Sequence, residues 1–325
     1  MENKLKVGIF GIGQFGLPHL KNWLEIPEVE VVGFCDIDTM KQGLIPRQFD
    51  IPYLPQSDLI EAADIIDVVT PTYAHYGIAL EAAEKGRHVF VEKPFTQTLD
   101  EGKLLAAAAE KAGVKMTVGF IERFNPVFLE LRKSTQLQPE FIEIHRMGQF
   151  NPYRGIDIPV VHELMIHDLD MVRFLVNSEI RDIHASGTKV LSDEIDIVNA
   201  RVAFQNGCVA NMTCSRIAPG KMRKIRMFQR NTYVSMDLLN HQAEIYEMKE
   251  NVDPESVETA RIMAKIPSQF NRGISYRKLQ SRSHNALKAE LRHFAQAVLR
   301  DSRPAVSLSD ALNALELAFS ITERI

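Results

Sequence analysis

The sequence predicts an α/β chain in two parts. Residues 1–121 read as a doubly wound parallel sheet, and 122–325 as an α+β part built on a large, open, mostly antiparallel sheet. Three observations carry this. Apolar runs alternate with amphipathic helical segments through the front third, the pattern of a parallel sheet covered on both faces. After Phe120 the texture changes to closely spaced alternating runs with short turns between them. Asn206-Gly207 separates two of those runs, which is a strong hairpin signal.

The front part opens with KVGIFGIGQFGLPHL, an apolar strand followed by Gly11, Gly13 and Gly16 and then a helical pattern. Gly11 permits a tight turn, Gly13 lets the backbone approach a pyrophosphate, and Gly16 lets the helix sit close to the strand. The helix start offers free N–H groups and a positive dipole end to phosphates. Gln14 and Phe15 lie within the same turn and join the expected cofactor contacts. A second strand, VEVVGFCD, ends in Asp36, 20 residues after Gly16, the spacing at which a carboxylate reaches an adenosine ribose. Asp36 should accept from a free 2′-hydroxyl and repel a 2′-phosphate, and no arginine follows immediately to receive one. The expectation is therefore NAD rather than NADP.

The alternation continues through a helix at 56–63, the strand ADIIDVVTPT, the helix AHYGIALEAAEKG, the strand HVFVEKPF, a helix from Asp100 to Lys111 and the strand KMTVGF. Thr70, Pro71 and Thr72 end the third strand on the edge where ligands bind in such sheets. Glu92 and Lys93 end the fourth. Lys93 follows an apolar strand and precedes Pro94, so its ammonium is placed to hold a substrate hydroxyl and stabilise an alkoxide.

In the back part the strand segments are EFIEIHRMGQF, IRDIHASGTKVL, IVNARVAF, CVANMTCSRI, MRKIRMFQR and TYVSMDLL. The stretch 249–283 is polar, basic and poorly periodic and reads as a long loop or short helices. Two helical segments, HNALKAELRHFAQAVLR and LSDALNALELAFSITERI, close the chain.

The whole composition narrows the function. A chain of 325 residues, 45% hydrophobic and 25% charged, is an ordinary globular protein of about two domains. A net charge of −4 favours neither nucleic acid nor an anionic membrane. No apolar run approaches the ~20 residues of a membrane span. Cys35, Cys208 and Cys214 form no paired framework, which with the lack of a signal peptide points to a cytoplasmic protein with reduced thiols.

Residues 162–170, HELMIHDLD, crowd together five groups able to bind a metal. The zinc motif needs histidines four apart on one helix face, and His162 and His167 are five apart. No metal is expected. With 160–176 as an α-helix, Glu163, His167 and Asp170 form one polar stripe on a helix otherwise apolar. A carboxylate beside His167 orients the ring and raises its basicity, as a general base requires. Asp168 falls in the apolar arc and reads as a buried hydrogen-bonder. His162 lies off the stripe, as packing or surface.

GIGQFG, Asp36, EKPF, GFIERFNP and the ending HDLD, in that order across essentially the whole chain, resemble the Gfo/Idh/MocA oxidoreductase family. The resemblance implies a Rossmann domain, then an open sheet that mediates a homodimer or homotetramer. It also implies NAD(P)-dependent oxidation or reduction of sugars and polyols. By position Lys93 matches the lysine that polarises the reacting hydroxyl, and His167 matches the acid/base histidine. Glu163 stands where many members carry an aspartate, and Met165 where a small residue is usual. RGIDIPVVHELMIHDLD is similar to the branch that includes UDP-N-acetylglucosamine 3-dehydrogenases. Arg123, Asn125, Arg154 and Asp170 would then contact substrate, the arginines because a planar fork suits a diphosphate.

The resulting expectation is hydride transfer between a nucleotide-sugar hydroxyl and NAD, catalysed by Lys93, His167 and Glu163. The alternatives are a dehydrogenase of a free sugar or inositol, an NAD-dependent glycosidase using transient oxidation, and an NAD-binding protein without chemistry. The presence of both Lys93 and His167 argues against the last.

Overall fold

The structure is a computed structural model, and it describes residues 4–152, 158–250, 272–281 and 285–325. The chain divides into two compact units. The first runs through Phe124 and takes up Asn285–Glu316, and the second starts at Asn125 and takes up Leu317–Ile325.

Five parallel strands form the first unit's sheet: β1 (Leu5–Phe10), β2 (Val29–Cys35), β3 (Ile65–Val68), β4 (His88–Val91) and β5 (Met116–Val118), in the order β2-β1-β3-β4-β5. The helices between them are α1 (Gly16–Leu24), α2 (Thr39–Phe49), α3 (Gln56–Ala62), α4 (His75–Glu84) and α5 (Leu99–Ala112). Strand order reverses between β1 and β3, so their carboxyl ends mark the switch point where such sheets bind ligands. Local chemistry fixes several helix ends. Asp38 caps α2 by accepting from Met40 N–H, Thr98 and Glu101 close a capping box on α5, and Gly113 ends α5 in the left-handed region.

The core of this unit gathers Val7, Ile9, Leu20, Trp23, Phe34 and Phe90. It also contains Leu291, Phe294 and Ala295 from α8 (Ala286–Leu299). This moves the boundary drawn at 121/122. The apolar stripe of α8 is buried with the parallel sheet's core, so 285–316 belongs with the first part despite lying far along the chain.

The second unit holds α6 (Pro126–Ser134), α7 (Ile166–Leu175) and an eight-stranded sheet in the order β13-β12-β11-β10-β6-β9-β8-β7. Its strands are β6 (Phe141–Met147), β7 (Ile180–Thr188), β8 (Ile197–Phe204), β9 (Val209–Ser215), β10 (Met222–Gln229), β11 (Thr232–Asp237), β12 (Gln242–Glu250) and β13 (Arg272–Gln280). Every pairing is antiparallel except β6 with β9. Gly207, at φ +89°, makes the turn of the β8–β9 hairpin, as the Asn-Gly pair predicts. α9 (Leu308–Thr322) gives its residues to Glu316 to the first unit and the remainder to the second.

One face of the large sheet is buried by alternate residues, among them Ile225, Met227, Val234, Met236 and Ile245. A row of rings in contact, Phe141, Phe228, Tyr233, Tyr246 and Tyr276, runs across β6, β10, β11, β12 and β13. β13 corrects the loop expected over 249–283. Its polar residues suit an edge strand, which shares no core period for a sequence to display. The stretch 251–271 lies outside the described residues.

Candidate functional site

The glycine turn is built as its spacing predicts. Gly11 sits at φ +87°, and a Cβ there would meet the Val69 carbonyl at 2.9 Å and the Thr70 methyl at 3.1 Å. A Cβ on Gly16 would run into the Gly11 carbonyl, so α1 can start this close to β1 only with glycine there. Gly13 is different: nothing lies within 4 Å of the place its Cβ would take. Phe15, at the cap position of α1, makes no side-chain capping hydrogen bond among the described residues. The turn therefore presents an open backbone cradle at an uncapped helix start, which suits a pyrophosphate. Gln14 and Phe15 are exposed at its rim.

Asp36 closes the other side. Its Oδ2 accepts from Ile12 N–H at 2.7 Å, tying the end of β2 to the glycine turn, and its Oδ1 accepts from Asp38 N–H at 2.9 Å. Lys41 Nζ reaches the same Oδ2 at 3.2 Å and Asp38 at 3.6 Å. Sequence reading looked for an arginine directly after Asp36 and missed this cation. The signal was present, because the first turn of a helix capped by Asp38 brings Lys41 back toward the cap.

Thr70, Pro71 and Thr72 lead from β3 into a short 3₁₀ turn over Thr72–Ala74. Thr70 Oγ1 is buried with no hydrogen-bond partner among the described residues, next to Gly11. A buried hydroxyl without a partner at a switch point is what a bound cofactor satisfies. These features together fit a dinucleotide. Buried His75 sits between the carbonyls of Thr70 and Pro94, at 2.8 and 2.9 Å, and links the ends of β3 and β4. Burial holds its pKa below the ordinary value, so the neutral ring donates to one of the two.

Lys93 is half-buried just past β4. Its backbone N–H donates to Glu92 Oε2 at 3.1 Å. Glu92 Oε1 meets His19 Nε2 at 3.3 Å, and His19 Nδ1 meets Asp67 Oδ2 at 2.9 Å. Trp23 Nε1–H donates to that same Asp67 oxygen at 2.6 Å. His19 and Asp67 were not singled out from sequence. The available signal was a charge, Asp67, inside the otherwise apolar strand IIDVV, which a buried parallel strand does not tolerate without a partner.

In the second unit, Val161–Met165 is a π-helical turn, closed by Ile166 N–H donating to Val161 O, and the α-helix begins at Ile166. An i→i+5 turn rotates less per residue than an α-helix, so the angle from Glu163 to the residues after the turn changes, while His167 and Asp170 keep their i, i+3 spacing within α7. Glu163 and His167 keep partial exposure, whereas Asp170 has 0%. Asp170, expected as a substrate contact, is a buried group.

Asp168 is buried and receives Arg146 through both Nε and Nη2, at 2.8–3.0 Å, as a structural pair. His162 packs against the Phe319 ring at 4.6 Å and faces Thr322 Oγ1 at 3.2 Å. Glu163 Oε2 accepts from Arg216 Nη1 at 3.3 Å, and Arg216 Nε donates to Asp196 Oδ1 at 2.7 Å. Sequence reading did not single out Arg216, which directly follows β9 and is placed by that strand's pairing.

Two further expected substrate contacts are internal. Arg123 is 4% exposed and donates to Ala305 O at 3.0 Å, with Asp310 at 3.5 Å. Asn125 caps α6 through Val127 N–H and donates to Leu238 O at 3.1 Å. Both are structural, because the polar atoms that would read a substrate already hold the fold together. Arg154 lies outside the described residues. Among the described residues, no group of three His, Cys, Asp or Glu side chains is placed to hold a metal ion.

Comparison with known proteins now decides the family. Residues 5–120 match the model of an oxidoreductase family with an NAD-binding Rossmann fold, and residues 156–235 match the Gfo/Idh/MocA C-terminal domain. The chain belongs to the Gfo/Idh/MocA oxidoreductase family. It is 31% identical over 243 residues to the UDP-N-acetylglucosamine 3-dehydrogenase of Acidithiobacillus ferrooxidans, covering 74% of this chain and 77% of that one. A solved structure of that enzyme superimposes with a TM-score of 0.89, at 27% identity, over 99% of this chain and 98% of the other. The scyllo-inositol 2-dehydrogenase (NAD(+)) of Bacillus subtilis is 25% identical over 351 aligned positions, covering 99% and 94%. The chain is thus an oxidoreductase whose relatives are named sugar and inositol dehydrogenases. No helix among the described residues is long and apolar enough to cross a membrane.

Proposed function

We propose that the protein is an NAD-dependent dehydrogenase of a nucleotide sugar, acting on a ring hydroxyl of a UDP-N-acetylglucosamine-type substrate. The observation that carries this reading is that Glu163 and His167 are both partly exposed at the start of a largely buried helical segment, in a chain 31% identical to a UDP-N-acetylglucosamine 3-dehydrogenase. Bound NAD supplies the hydride acceptor. Lys93 holds the reacting oxygen and stabilises the negative charge it gains as its proton goes to His167, a charge that is spent when hydride leaves the carbon. His167 takes the hydroxyl proton, and Glu163 orients its ring and stabilises the imidazolium. Gly11, Gly13, Gln14, Phe15, Gly16, Asp36, Thr70, Pro71, Thr72 and Glu92 would hold the cofactor. Arg154 is the cation assigned to the diphosphate. Asp36 makes NAD the preferred cofactor over NADP, and the aromatic row on the large sheet pairs two copies of the chain, which light scattering would read as a dimer or tetramer.

The test is net NADH formation against a panel of UDP-sugars, free hexoses and inositols. Turnover on UDP-N-acetylglucosamine well above the free polyols supports the reading. Turnover on inositols alone would replace it with the second one, which the full-length similarity to the inositol dehydrogenase favours. Cleavage of a glycoside without net NADH would replace both.

A further inference from the structure

Asp67, His19 and Glu92 form a buried ion cluster, and the proposed chemistry uses neither its histidine nor its aspartate. His19 is 2% exposed and Asp67 0%, and they come from α1 and β3. Each ring nitrogen of His19 faces a carboxylate oxygen, Nδ1 toward Asp67 and Nε2 toward Glu92. Both contacts are attractive only if both nitrogens carry hydrogen, which makes the ring an imidazolium. Burial alone would lower the His19 pKa, but the two carboxylates outweigh it and hold it up at about 10. Phe90 meets the ring edge-on, so it brings no competing charge.

Glu92 is fixed at both oxygens. Oε1 rests on His19 and on the backbone of Gly119, where a Cβ would stand 2.5 Å from it. Oε2 accepts the Lys93 N–H. Burial would raise the Glu92 pKa, and the hydrogen bond and charge of His19, with Lys93, outweigh that and keep it an anion. The cluster therefore carries two negative charges and one positive, and Lys93 is the next residue along the chain.

We propose that His19 is a positioning residue for Lys93. Clamped between Asp67 and Glu92, its imidazolium fixes the Glu92 carboxylate, and that carboxylate fixes the first peptide of the Lys93 segment and the field its ammonium sits in. This rests on the reading that Lys93 holds the reacting oxygen. Without His19, Glu92 loses a charged hydrogen bond on one oxygen and is free to turn away from Lys93 N–H. The ammonium then loses its fixed place, and misplacement by about 1 Å costs about 100-fold in rate.

Three measurements on the full chain test this, using His19→Asn and the isosteric Glu92→Gln. Nitrogen NMR of histidine-labelled protein at neutral pH should show both His19 ring nitrogens protonated. Amide exchange in the peptide spanning 89–96 should speed up by about tenfold or more in either variant, with β1 and β3 unchanged. With the active sugar, kcat should fall about 10–100-fold in both variants, while the NAD dissociation constant of His19→Asn moves less than about threefold. A merely structural His19 would instead lower the melting midpoint and NAD affinity together and leave kcat per folded molecule unchanged. A neutral His19 ring, or exchange at 89–96 unaltered in both variants, would overturn the proposal. If His19→Asn fails to fold, Glu92→Gln decides. If no sugar is turned over by the unmodified protein, the substrate reading fails, and the NMR and exchange results still decide this one.

Discussion

Arg216 Nη1 donates to Glu163 Oε2 at 3.3 Å, so the carboxylate four residues before His167 is held from the segment that follows β9. Arg216 keeps its shorter bond to Asp196, at 2.7 Å, whatever happens at Glu163. Glu163→Gln therefore removes charge beside His167 without undoing the fold. Turnover should fall by about 10–100-fold, with the melting midpoint nearly unchanged, as steady-state kinetics and calorimetry would show. Full activity in this variant would remove Glu163 from the mechanism.

His167→Ala should lower turnover by about 10²–10⁴ and leave NAD affinity intact, because the cofactor is held by the glycine turn. His162→Ala should do the reverse. It deletes the stacking on Phe319 and the contact to Thr322, so it costs stability but little turnover. Equal kinetic damage from the two would mean that the π-helical turn does not separate their roles.

The same His162 gives the protein a sensitivity to acid. Burial lowers its pKa to about 4, below the 6.5 of an exposed imidazole. Above pH ~6.5 the ring is neutral in both folded and unfolded chains and stability is unaffected. As pH falls, the unfolded chain binds a proton that the folded one refuses, and stability drops until about pH 4, where the folded ring protonates too. His162→Gln should flatten unfolding midpoints across that window. An unchanged slope would assign the loss to other groups. Asp196, held far below the usual range mainly by N–H groups and Arg216 acting against burial, loses its contribution only at still lower pH.

Asp36 and Lys41 set opposing demands on the cofactor. Asp36→Ala should narrow the preference for NAD over NADP, by about 1–3 kcal/mol. Lys41→Met should widen it, because the cation 3.2 Å from Asp36 offsets the repulsion of a 2′-phosphate. Calorimetry with both cofactors reads each change. Tighter NADP binding in the unmodified protein would contradict the role given to Asp36.

Arg123 should behave as a structural residue. Arg123→Ala leaves Ala305 O and Asp310 without their buried partner, so it should destabilise the fold by about 2–4 kcal/mol. A large rise in KM at unchanged stability would restore the substrate contact expected from sequence.

The sequence by itself determined whatever depends on near neighbours in the chain. Alternating strand and helix periods, the glycines of the first turn, Asp36 at the end of β2 and Asn206-Gly207 between β8 and β9 are local patterns, because backbone geometry fixes which side successive residues face. Tertiary structure decided the rest. His19 meets Asp67 across 48 positions, and Arg216 meets Glu163 across 53. Such partners carry no mutual spacing that a periodicity can show. The π-helical turn at 161–165 inserts a residue that the α-period does not anticipate, so the angle from Glu163 to His167 and Asp170 is not the one the sequence period gives, and Asp170 is fully buried. The apolar stripe of α8 says that the helix is buried but not against which core. Only the folded chain showed that 285–316 returns to the parallel-sheet unit, because burial is non-directional and the nearest core in sequence need not be the one that covers it.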